Sequence, residues 1–157
     1  MLHSKKNISG VTVSCTLNDS NKFLEEDISY LSENFYGSGA RYATAEDLFK
    51  FGIGIFQHKL FSKATTALVI APHEQLNNVA FGVWYASGYG TFNKPFTYRT
   101  GGIPRSRSNY IHTIDDKKTI IRLNKTNAAN LYGISENLYK VVKTKQHKNY
   151  NSGEAKP

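Results

Sequence analysis

The stretch of this chain best equipped for chemistry is Arg99-Thr100-Gly101-Gly102-Ile103-Pro104, between the aromatic run Phe96-Thr97-Tyr98 and Ser106-Arg107-Ser108-Asn109-Tyr110-Ile111. Its arginine offers a planar fork that can clamp a carboxylate, its threonine a hydroxyl, and its paired glycines a backbone with nothing in front of it. Such a strand end lets a substrate backbone come close while a charge and a hydroxyl hold one end of it. Arg99 cannot act as a base, because guanidinium does not deprotonate in proteins. The stretch therefore reads as a binding wall, and the rest of the chain supplies no evident nucleophile. Cys15, the sole cysteine, has no base beside it in sequence and reads as a small buried residue. His3, His58, His73, His112 and His147 are scattered without the spacing of metal ligands, so neither metal nor cofactor is expected.

The elements that must position this wall follow from patterning. Val11 to Leu17 alternates β-branched and small residues and predicts a strand, and Asn18-Asp19-Ser20-Asn21 a turn. The acidic run Glu25-Glu26-Asp27 suggests a helix start, and Tyr36-Gly37-Ser38-Gly39 a loop. Thr44-Ala45-Glu46-Asp47 has the form of a capping box opening a helix whose apolar face holds Leu48, Phe51 and Ile55, with Gly52 and Gly54 inside it. Ser62 opens a second helix that Pro72 stops near Ala71. Strands are predicted over 79–87, 96–101, 108–114 and 119–124, with Asp115-Asp116-Lys117-Lys118 as the tight turn of a closing hairpin. A last helix is predicted from about Asn127 to Lys143, with Ala128, Leu131, Ile134, Leu138, Val141 and Val142 on its inner face. The expected fold class is α/β of the α+β type, an antiparallel sheet with helices packed on it, in one domain over 1–143. Residues 144–157 read as a basic, disordered tail.

Composition bounds the class of protein. The chain has 157 residues, 39% hydrophobic and 20% charged, as expected of a globular domain with a real core. No apolar run is long enough for a transmembrane segment, and Met1 to Asn7 lacks the apolar stretch of a secretory signal, which leaves the compartment unknown. The net charge of +8 is uneven: up to Gln75 there are seven basic against eight acidic residues, and from Leu76 onward thirteen against four. No nucleic-acid motif accompanies that excess, so no nucleic acid is expected as partner.

Two blocks resemble the serine β-lactamase and penicillin-binding-protein superfamily, particularly its class C and esterase-like branch. Tyr36-Gly37-Ser38-Gly39-Ala40-Arg41-Tyr42-Ala43-Thr44-Ala45-Glu46-Asp47-Leu48-Phe49-Lys50-Phe51 is similar to that family's glycine-rich loop and following helix. Arg99-Thr100-Gly101-Gly102-Ile103-Pro104 resembles its third box, Lys/His-Thr/Ser-Gly, in the form His-Thr-Gly-Gly-x-Pro-Gly. The sequel also fits, with a strand, the Asp115 to Lys118 turn, a strand ending in Asn124-Lys125-Thr126, and a helix, so that the likeness spans about 36–143. The resemblance implies acyl-serine hydrolysis of esters, D-amino-acid peptides or β-lactams, with a small-molecule or peptide substrate. Thr100 would then bond the substrate, Arg99 supply charge, and the Gly102 N–H serve an oxyanion hole. The departures are specific. No serine here is followed by lysine at the third position, so the Ser-x-x-Lys nucleophile is absent, and the Tyr-x-Asn box has no counterpart. Arg105 stands where the family has glycine after proline. The chain thus resembles the C-terminal portion of such a hydrolase, inactive by itself, with its partner boxes expected before residue 1. A sheet lacking its N-terminal strands should present an open edge and apolar surface prone to self-association. The alternative is a non-catalytic remnant or a basic binding module.

Overall fold

The computed structural model describes residues 10–20, 22–26, 42–103, 106–126 and 129–151, so the loop expected at 36–39, and with it the first half of the glycine-rich block, lies outside the described residues, as do Pro104 and Arg105. The described chain is α+β. A four-stranded antiparallel sheet has the order β3 (Trp84–Ala86), β4 (Phe96–Ile103), β5 (Ser106–Thr113), β6 (Thr119–Asn124). A separate antiparallel pair is formed by β1 (Ser14–Leu17) and β2 (Phe23–Glu26). Three helices accompany them: α1 (Ala45–Phe56), α2 (Lys63–Ile70) and α3 (Leu131–Asn151). By contacts the chain divides into two compact units, one comprising Met1–Lys63, Thr100–Asn109 and Ile121–Ala129, the other Ala64–Arg99, Tyr110–Ile120 and Asn130–Pro157.

In the first unit, α1 opens on the capping box expected of Thr44. The Thr44 hydroxyl accepts from the Asp47 N–H at 3.1 Å, and the Asp47 carboxylate accepts from the Thr44 N–H at 2.9 Å. Those bonds, to the Thr44 backbone and then to its hydroxyl, hold the Asp47 carboxyl below its ordinary range. The helix closes at Phe56, where His58 takes a left-handed φ of 60° and the Lys59 N–H reaches back to the Gly54 carbonyl at 2.8 Å. Gly52 and Gly54 are its buried positions, whereas Phe51, expected inward, is 59% exposed. A Cβ at Gly54 would stand 3.0 Å from Leu60, which the C-terminal turn folds back onto the helix. Glu25 and Glu26 belong to β2, paired with Cys15 and Ser14, and do not start a helix. Asn18 makes the turn between these strands by accepting from the N–H groups of Ser20 and Lys22. Cys15 is buried at 2% exposure, as its small apolar character suggests, and its N–H donates to the Lys125 carbonyl at 2.7 Å.

In the second unit the core comprises Phe92, Phe96, Ile111, Ile120 and Tyr139. Tyr139 holds α3 to it twice over. Its ring stacks on Phe92 at 4.7 Å, and its hydroxyl donates to Asp116 Oδ2 at 3.0 Å, where Lys118 Nζ also arrives at 3.1 Å. Because Tyr139 and Ser135 take the inner positions, the face expected inward is turned outward, with Ile134 43%, Leu138 42% and Val141 52% exposed. Helix α3 begins at Leu131, later than the predicted Asn127, because the Asn130 side chain accepts from the Gly133 N–H at 3.1 Å. It runs to Asn151, into the segment whose composition suggested a disordered tail. The strand predicted over 79–87 shrinks to Trp84–Ala86. Gly82, at φ 86°, bends the chain there, and Val79 bridges both His73 and Trp84 instead of extending the strand. The turn at Asp115 to Lys118 and β6 at Thr119–Asn124 stand where the sequence puts them.

A candidate binding edge on strand β4

All four residues of the Arg99 to Gly102 stretch lie in β4 and are exposed, following the buried Phe96 and Thr97. Side chains alternate along a strand, so Arg99 and Gly101 point to one side of the sheet and Thr100 and Gly102 to the other. At their Cβ atoms Arg99 and Thr100 therefore leave the strand on opposite faces. What the stretch shares is its backbone.

The peptide groups of β4 alternate in the same way. Ile114 N–H donates to the Pro95 carbonyl at 3.0 Å, so Pro95 and every second residue after it, through Thr97, Arg99 and Gly101, turn their peptide groups toward β5. The intervening residues turn theirs toward β3. That strand is short: its register, Trp84 with Tyr98, Tyr85 with Thr97 and Ala86 with Phe96, ends at Tyr98. Beyond it, among the described residues, no strand pairs with that side of β4. Thr100 and Gly102 thus present their N–H and C=O groups along an unpaired strand edge, the arrangement to which an extended peptide can add as a further strand.

The two glycines have different reasons to be glycine. A Cβ on Gly101 would meet Ser108 Oγ of β5 at 2.5 Å, so its bareness serves the neighbouring strand. A Cβ on Gly102 would find nothing nearer than the Ser106 carbonyl oxygen at 3.9 Å. Gly102 is bare without any packing demand, and its N–H is on the open edge.

Arg99 is positioned by aromatic rings. Its guanidinium carbon lies 4.4 Å from the Trp84 ring centroid, and Trp84 stacks in turn on Tyr98 at 5.6 Å and 27°. Attraction to the ring quadrupole holds the cation without neutralising it, leaving it able to receive an anionic group. Trp84 and Tyr85 are only half-buried and Tyr89 is 49% exposed. Trp84 was not legible as the partner of Arg99, because their sequence separation carries no periodic signal.

Among the described residues no group of three or more His, Cys, Asp or Glu side chains could hold a metal ion, and no helix is long and apolar enough to cross a membrane. In class, then, this is an α+β chain with an open four-stranded antiparallel sheet, in which no described strand pairs with β4 beyond Tyr98 on its β3 side. Comparison with family models, characterised proteins and solved structures yields no match.

Proposed function

We propose that the chain is the substrate-wall portion of a β-lactamase-related serine hydrolase. It would bind an acylated D-amino-acid peptide, ester or β-lactam along β4 and be unable to turn it over by itself. The observation that carries the reading is the edge at Thr100 and Gly102 that no described strand pairs, with the Gly102 N–H directed outward from a residue that packing leaves free to be anything small. In acyl transfer such an N–H is one of the donors that stabilise a developing oxyanion, worth several kcal/mol in a water-excluded site. Arg99 would take the substrate carboxylate through its guanidinium fork. Base chemistry is not available from it, and no Ser-x-x-Lys element occurs in the chain. The second reading, a peptide-binding module without turnover, shares the same edge and differs only in needing no complementing nucleophile.

The test is binding followed by labelling. An N-acylated D-alanyl-D-alanine peptide should shift the backbone amide resonances of Thr100 and Gly102, and Gly102→Pro, which deletes the outward N–H at an edge position that tolerates proline, should abolish the shift. Fluorescent penicillin and fluorophosphonate probes should leave the chain unlabelled. Amide shifts located away from β4 would remove the proposed wall, and stable covalent labelling at a serine would overturn its inactivity.

A further inference from the structure

On β6, Ile120, Arg122 and Asn124 share one face by strand alternation. Arg122 is 7% exposed, yet Nε and both terminal nitrogens of its guanidinium have no hydrogen-bond partner. Two further groups beside it are in the same condition. The Thr113 N–H donates to the Lys118 carbonyl at 2.9 Å, and His112 Nδ1 lies 2.8 Å from Thr119 Oγ1. Continuing that antiparallel register sets Asn109 across from Arg122, in keeping with their matching burial. Asn109 Oδ1 and Asn124 Nδ2 are both buried and unbonded. Thr16 Oγ1, next to the Cys15 that bridges Thr126, is another such atom in the same compact unit.

Elsewhere in the chain buried hydroxyls such as those of Thr97 and Ser135 are also unbonded, but a lone hydroxyl costs little beside a cation. A buried guanidinium without a counter-charge is among the most unfavourable arrangements a fold can hold. Burial already pulls the proton affinity of Arg122 below its ordinary value. The unused groups are mostly donors, and the guanidinium fork among them matches two oxygens of one planar or tetrahedral anion. Asn109 adds an acceptor suited to a hydroxyl or protonated oxygen on the same ligand.

We propose that Arg122, with Asn109 and Asn124, forms an oxyanion-binding site for a carboxylate or phosphate group on β5 and β6. Bound there, the anion supplies the missing counter-charge and stabilises the folded chain by mass action.

The experiment is thermal unfolding of the full chain at fixed ionic strength, titrated with sodium acetate in one arm and inorganic phosphate in the other, against chloride. The wild-type Tm should rise saturably in at least one arm, by about 3 °C or more at tenfold excess over Kd. A rise with acetate identifies a carboxylate ligand and a rise with phosphate a phosphate ligand. Arg122→Met should lose the response while melting in chloride at or above the wild type, since it removes an uncompensated buried charge. Arg122→Lys, which keeps the charge without the fork, should respond weakly. The wild-type Arg122 Nε–H resonance, which needs no variant to fold, should move on anion addition. No saturable rise in either arm, an equal rise in Arg122→Met, or an unmoved Arg122 resonance would overturn the proposal.

Discussion

Replacing each glycine of the β4 stretch by alanine separates a packing requirement from a binding one. At Gly101 the new Cβ would lie 2.5 Å from Ser108 Oγ, about 1 Å inside ordinary contact, while the Ser108 Cβ stays clear at 3.9 Å. Relief therefore comes from rotating one torsion of Ser108, at about 0.5–1.5 kcal/mol if the new position is off-rotamer. Against this, alanine restricts the unfolded chain and returns about 0.4–1 kcal/mol. Gly101→Ala should then lose up to about 1 kcal/mol, a fall in Tm of about 2–4 °C at most for a chain of this size. Gly102→Ala meets only the Ser106 carbonyl at 3.9 Å and should keep the entropic gain, raising Tm by about 1–4 °C. The decisive control is Ser108→Ala. In that background the Oγ is gone, and Gly101→Ala should become stabilising as Gly102→Ala is. Thermal melts of the single and paired variants, read as a double-mutant cycle, measure this directly. If Gly102→Ala destabilises as much as Gly101→Ala, or if removing the Ser108 hydroxyl leaves the Gly101 penalty intact, the assignment of one glycine to packing and the other to the open edge is wrong.

Two further outcomes follow from the second unit. Tyr139→Phe keeps the ring on Phe92 but removes one donor from the Asp116 carboxylate, which Lys118 Nζ also reaches, and should cost about 1.5–3 kcal/mol in a denaturant melt; a cost below about 0.5 kcal/mol would mean the bond does not hold α3. His112 is 8% exposed, and burial, opposed in part by the charge of Asp116, lowers its pKa from 6.5 to about 4. Since the unfolded chain then binds more protons between those values, stability is complete above pH 6.5 and falls as the pH drops toward 4, by about 2 kcal/mol after allowance for partial solvation. Replacing His112 by Gln should flatten that part of the pH–stability curve; an unchanged slope would assign the acid sensitivity to another group.

Local rules carried much of the fold. The capping box at Thr44 and Asp47 is a contact between neighbours, and the hairpin of β5 and β6 turns on four consecutive polar residues, so both were legible without the rest of the chain. Burial was less so. Periodicity placed Ile134, Leu138 and Val141 inward, yet α3 is seated by Tyr139, whose ring and hydroxyl satisfy Phe92 and Asp116 together. The inward place of Arg122 was available from the alternation Ile120, Arg122, Asn124, although that an arginine should stay buried without a partner runs against the rule that charges face water.

By itself the sequence determined that Arg99 to Gly101 would lie on a strand, that Arg99 offers a fixed cation and no base, and that a hairpin and a helix would follow. These depend on residue type and on neighbours within a few positions. Only the tertiary structure decided that the pairing of β3 with β4 ends at Tyr98, so that among the described residues no strand pairs with Thr100 and Gly102 on that side, that Trp84 carries Arg99, and that Ser108 claims Gly101. Each of those is a contact between distant residues, set by where strands end and how they pair, and no local pattern encodes it.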